Sequence, residues 1–147
     1  MTTFLGSDSR VMSKLNNFEE KMETLISKLK IESLSDATEL LEALFDVNPS
    51  GVFIYNLEGD LIACNDRACK MHGWSREEMS NMRPEEFIHP DGFQTFVDYQ
   101  ETLMKKGEFS GKSVGRRADG GKFEVEVFGK LIKVNDQQLY YGVIKEI

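Results

Sequence analysis

Residues 48–65 read NPSGVFIYNLEGDLIACN, and the fold is decided here. Asn48-Pro49-Ser50-Gly51 has turn composition. Val52 to Leu57 is a short β-branched and aromatic run, Glu58-Gly59-Asp60 is a second turn, and Leu61 to Cys64 is a second apolar run. Asn65, which ends it, is a residue type that caps helices, and losing it as a cap costs about 0.5–2 kcal/mol. The stretch predicts turn, strand, tight turn, strand and helix start.

On the amino-terminal side, apolar side chains fall at Val11, Leu15, Phe18, Met22, Leu25 and Leu29, in steps of 4, 3, 4, 3 and 4. That is the seam of a coiled coil, and it breaks at Glu32. A helix of under three heptads is marginal alone in water. It needs a partner, either a second copy of itself or the surface of the domain that follows. Residues 1–35 are read as this amphipathic helix and 36–147 as the folded domain. Ser35 or Asp36 caps a second helix carrying Leu40, Leu41, Leu44 and Phe45. That helix stops before Asn48-Pro49, because the residue before proline is pushed out of helical space.

On the carboxyl side, Asn65 or Asp66 starts a short helix that ends at Gly73. Ser75-Arg76-Glu77-Glu78 is a capping box opening another short helix through Met82. Pro84 to Ile88 forms one further turn, and His89-Pro90-Asp91-Gly92 is a turn by composition. Phe93 to Lys106 supports a longer helix, with Phe93, Phe96, Val97, Leu103 and Met104 as its apolar face and Lys105, Lys106 and Gly107 closing it. Strands are expected over Glu108–Arg117, from Phe123 through Leu131, and over Leu139–Ile147, joined by turns at Ala118-Asp119-Gly120-Gly121 and Asn135-Asp136-Gln137. Five strands with helices grouped between the second and third make an α+β layout.

The chain has 147 residues, 40% apolar and 29% charged, with a formal charge of −7. This is globular composition with enough apolar mass for a core. The acidic balance speaks against nucleic-acid binding and against docking on an anionic membrane. No stretch approaches the ~18 apolar residues of a spanning helix. The amino terminus lacks the layout of a secretory signal. A cytoplasmic location with Cys64 and Cys69 reduced is expected.

The order of elements, and five stretches in register, resemble the PAS domain family across residues 39–147. The stretches are Leu44 to Val52; Cys64-Asn65-Asp66-Arg67-Ala68; Gly73-Trp74-Ser75-Arg76-Glu77-Glu78-Met79; His89-Pro90-Asp91; and Arg117 to Gly121. The resemblance implies a five-stranded antiparallel sheet of order 2-1-5-4-3 with the helices over one face and a pocket between. It also implies a non-catalytic sensor that dimerises and passes a change to a kinase, a cyclase or a transcription module, as in two-component systems. Glu146-Ile147 resembles the first two positions of the family's junction to its next module. The expectation is therefore an input piece of a longer signalling protein, with its effector absent from this chain.

Candidate chemistry is sparse. Haem-binding members of the family use an axial histidine on the longer helix, and Phe93 to Lys106 contains none; His72 and His89 are the only imidazoles. The Cys64 to Cys69 stretch lacks the order of a flavin-adduct cysteine motif, although residue types leave a non-covalent flavin open. Cys64 and Cys69, five residues apart, form neither a Cys-x-x-Cys nor a zinc pair, and both read as small, partly buried hydrophobes. No nucleophile–base–orienter set and no phosphate-cradling glycine motif is present. A small-molecule pocket draws its wall from Phe87, Phe93, Phe96, Val97, Phe123, Val125, Val127 and Tyr141. Its polar groups come from Asn65, His72, Arg83, Tyr99 and Ser113. The competing readings are a dimerisation scaffold with a filled core and a haem- or flavin-based sensor. Cavity volume separates the scaffold from the ligand sensor.

Overall fold

The computed structural model describes residues 9–147, with side chains from Asn17 onward. The chain divides into two compact units, the second being Ala43–Ile147.

Helix α1 (Ser9–Lys28) carries Phe18, Met22 and Leu25 of the expected stripe, with Leu29 just past its end; the side chains of Val11 and Leu15 lie outside the described residues. It ends in a left-handed residue, Lys30 at φ 56°. The Ile31 N–H there reaches the Ile26 carbonyl and the Lys30 N–H the Ser27 carbonyl, which satisfies carbonyls that the helix end leaves open. Helix α2 (Leu34–Val47) starts earlier than Ser35 or Asp36 suggests. Ser33 is the cap, because its hydroxyl accepts the Asp36 N–H at 3.1 Å. The Asp36 carboxylate instead accepts from Glu32 N–H, outside the helix.

In the second unit β1 (Gly51–Tyr55) and β2 (Leu61–Cys64) form the expected hairpin. The first strand stops before Asn56, whose side chain accepts the Asp60 N–H and closes a turn of its own. Gly59 supplies the positive φ that this turn requires. Three short helices follow: α3 (Asp66–His72), α4 (Arg76–Ser80) and α5 (Pro84–Phe87). A 3-10 turn (Pro90–Gly92) leads into α6 (Phe93–Lys106). Strands β3 (Glu108–Arg116), β4 (Lys122–Val134) and β5 (Gln137–Glu146) complete the domain. The β4–β5 turn places Asn135 and Asp136 at φ 51° and 64°, the paired left-handed conformation of a two-residue hairpin loop. The sheet order is β2-β1-β5-β4-β3, antiparallel throughout.

Asn65 does more than cap. It is fully buried. Its side-chain oxygen accepts from Ala68 N–H at 3.0 Å and from Val52 N–H at 2.9 Å. Its amide nitrogen donates to the carbonyls of Phe45 at 2.9 Å and Ser50 at 3.0 Å. One side chain thus ties the end of α2, the turn, β1 and α3. Substituting it leaves two buried donors and two acceptors unmet, each worth about 1–3 kcal/mol. Asn65→Ala should therefore lose about 3–5 kcal/mol by urea titration. Ser75→Ala, which removes an exposed capping box at α4, should lose about 1 kcal/mol. Equal losses at the two sites would show that Asn65 acts only as a cap.

Candidate functional site

Between the helices and the sheet lies an aromatic core. Phe53 and Tyr55 of β1 point into it, two residues apart as the pleat requires. Phe87 stacks on Phe53 with centroids 5.6 Å apart. On α6 the inward stripe is Phe96, Tyr99 and Leu103, spaced 3 and 4. Tyr99 lies flat on the sheet because Gly129 and Gly142 face each other across β4 and β5. A Cβ at Gly129 would stand 2.3 Å from the Tyr99 ring, and one at Gly142 would stand 2.9 Å from its hydroxyl. Glycine inside a strand marks such a close approach of another group.

This core encloses a cavity of about 60 Å³, lined by both β1 aromatics, His72, Phe87, Phe96, Tyr99, Ser113, Val125, Val127, Gly142 and Ile144, with Ile88 and Thr95 beside them. The lining polar groups are mostly spent. The Ser113 hydroxyl donates to the Gly92 carbonyl and Thr95 to the Lys112 carbonyl. His72 Nδ1 sits 2.9 Å from the Ala68 carbonyl. The Tyr99 hydroxyl is the buried polar side-chain atom left without a partner among the described residues, and burial pushes its phenol up.

His72 is held by three rings. Phe53, Phe87 and Phe123 meet its imidazole edge-on at 5.7, 5.6 and 5.1 Å. Burial lowers its pKa from the ordinary histidine value, more than hydrogen bonding to backbone carbonyls raises it, which favours the neutral ring. His89 lies at the surface, where Nδ1 accepts the Asp91 N–H and starts the 3-10 turn. Among the described residues no three His, Cys, Asp or Glu side chains converge as metal ligands.

Of the side chains expected at the pocket, His72, Phe87, Phe96, Tyr99, Ser113 and Val125 line the cavity, whereas Asn65, Phe93, Val97 and Tyr141 do not. Asn65 is consumed by its four hydrogen bonds. Phe93 and Val97 sit on a helical stripe rotated off the inward one. With Arg83 they border a separate outer groove beside Glu58 and Gln100. Tyr140, not Tyr141, joins the core. Two adjacent tyrosines leave strand parity open, and Gly142 settles it, since Tyr140 shares its face. Ile88, Thr95, Val114, Gly115, Gly142 and Ile144 line the cavity without standing in the expected set, and Phe53 and Tyr55 enter it as the inward side chains of β1. Alternation along β1 was the signal for Phe53 and Tyr55, and a glycine inside β5 the signal for Gly142.

The sequence profile of the PAS domain matches residues 49–147. The chain belongs to the PAS domain family. Solved structures agree. A PAS domain from a two-component sensor histidine kinase is 16% identical with a TM-score of 0.68, covering 78% of this chain and 100% of its own. The PAS domain of an HTR-like protein from Haloarcula marismortui is 19% identical with a TM-score of 0.69, covering 78% and 94%. A domain of the sensory box sensor histidine kinase/response regulator from Geobacter sulfurreducens is 18% identical with a TM-score of 0.61, covering 78% and 97%. At these identities the likeness carries the fold alone. None of the curated proteins matches the chain.

Two tests follow from the geometry of this PAS interior. Tyr99→Phe removes an unpartnered buried hydroxyl, so stability should be unchanged or raised by about 1 kcal/mol in urea titration; a clear loss would show that the hydroxyl is bonded in solution. His72 is depressed in the folded state, so it contributes stability above the unfolded histidine value of about 6.5 that is lost as pH falls below it. Chemical denaturation between pH 7.5 and 5 should show that decline in the native chain and a smaller one in His72→Gln.

Proposed function

We propose that this chain is a non-catalytic PAS sensory and dimerisation module, the input part of a cytoplasmic signal-transduction protein such as a kinase, a cyclase or a transcriptional regulator. The observation that carries it is the stripe on α1. Phe18, Met22, Leu25 and Leu29 are 60%, 37%, 47% and 50% exposed within one chain. A heptad seam is complementary to a copy of itself, and an exposed apolar stripe of this kind is where a second copy packs. Residues 1–35 serve as the dimerising helix and 36–147 as the sensory domain in this reading. The occurrence of the same fold in PAS domains from sensor histidine kinases supports the signalling role. Among the described residues no helix is long and apolar enough to cross a membrane.

The cavity weighs on the choice of input. Ligand sites usually span about 300–1,000 Å³, and about 60 Å³ is far below that. A cavity of this size favours neither haem nor flavin as the input. The volume favours a packed module whose signal is a change in partner contacts, biasing two packings of the helices against the sheet. A second reading, a very small ligand or ordered water in the core, is favoured by one observation: the buried, unpartnered Tyr99 hydroxyl. Native mass spectrometry of the isolated protein separates the readings by whether a small molecule is retained.

Phe18→Glu combined with Met22→Lys should convert a dimer to a monomer in sedimentation velocity and leave the circular dichroism of the domain intact. A dimer that persists would move the interface off α1.

A further inference from the structure

The two cysteines, five residues apart in sequence, meet in space. Cys64 ends β2 and Cys69 lies in α3, with their sulfurs 3.7 Å apart. Each is only 5% exposed. A disulfide needs the sulfurs at about 2.0 Å, closer than they stand in the reduced chain. Asn65, between them in sequence, holds the backbone on both sides through its bonds to Val52 and Ala68, so the sulfurs are held facing one another.

We propose that Cys64 and Cys69 form a reversible intramolecular disulfide under two-electron oxidation by a peroxide, which pins the edge strand β2 to α3. Cys69 is the attacking thiol. Burial, with Cys69 alongside, pushes the Cys64 thiol up to about 12, which disfavours Cys64 as the first nucleophile toward peroxide; its later attack is helped by the 3.7 Å contact, which makes that step intramolecular. The Cys69 sulfur attacks one peroxide oxygen, the O–O bond breaks, and the departing hydroxide leaves as water with the thiol proton, giving a sulfenic acid on Cys69. The Cys64 sulfur then attacks that sulfur. The S–O bond breaks, and the hydroxide leaves as water with the Cys64 proton. Two thiols lose two electrons and two protons, and one peroxide becomes two waters. A dithiol reductant reverses the reaction by exchange. Access comes from the edge: β2 pairs only with β1, and that register shifts at Ile54/Tyr55. Short, one-sided elements open locally at low cost.

Trypsin reads the result directly, because Arg67 lies between the cysteines and separates them into peptides 31–67 and 68–70. The purified native chain is treated with hydrogen peroxide, alkylated under denaturing conditions and digested without reductant. The expected result is joint loss of both alkylatable thiols, a mass decrease of two hydrogens on a monomeric chain, and covalent linkage of the two peptides, all reversed by dithiothreitol. In Cys64→Ser, Cys69 should instead accumulate as a sulfenic acid trapped by dimedone. The proposal is overturned if native thiols stay alkylatable, if Cys69 proceeds to sulfinic acid without linked peptides, or if the linkage appears only in chains joined as dimers on non-reducing gels. The experiment on the native chain decides the matter even if the variant does not fold.

Discussion

The primary amide of Asn65 joins four segments, three of them distant from it in sequence. It takes N–H groups from Val52 and Ala68 and gives its own to the carbonyls of Phe45 and Ser50. The side chain is completely buried, and its oxygen satisfies the buried N–H groups of Val52 and Ala68. The hairpin, the start of α3 and the end of α2 are placed relative to one another by this residue. The position of His72 at the far end of α3, and of the sulfur of Cys69 beside Cys64, follows from that placement.

From the other side, the interior is shaped by large rings set against missing side chains. Tyr99 lies on the glycine pair Gly129 and Gly142, and the Phe123 ring lies against Gly115. Close packing of this kind leaves little free volume, which is why the space between helices and sheet closes to a small cavity instead of a ligand chamber. Among the described residues, the unpartnered Tyr99 hydroxyl is the exception to the rule that buried polar side-chain atoms find partners.

The end of α3 is tied to the late strands. Arg117 donates to the Met71 carbonyl, lies 4.2 Å over the Phe123 ring and pairs with Glu146 at the end of β5. The Ala118 N–H reaches the His72 carbonyl. A displacement of α3 and a displacement of the carboxyl-terminal strand are therefore not independent.

Element types were legible in the sequence, because turn residues, capping boxes and alternation are local signals. NPSGVFIYNLEGDLIACN carried its hairpin, Ser75 its box, Phe93 to Lys106 its whole helix, and the family resemblance the order 2-1-5-4-3. What the sequence could not decide was orientation. Phe93, Val97 and Met104 are as apolar as Phe96 and Leu103, and only packing against the sheet selects which stripe turns inward. Tyr140 and Tyr141 are the same residue type, and only the register of β5 with β1 and β4 assigns one to the core. Asn65 was readable as a cap from its neighbour Ala68, but its bonds to Phe45, Ser50 and Val52 span 13 to 20 residues of chain. The meeting of Cys64 with Cys69 likewise depends on how a strand end turns into a helix. By itself the sequence determined which segments become strands and helices, since those preferences act over a few residues. The tertiary structure decided which side chains share a cavity, a hydrogen bond or a sulfur contact, since those depend on distances that close only when the whole sheet and its helices are in place.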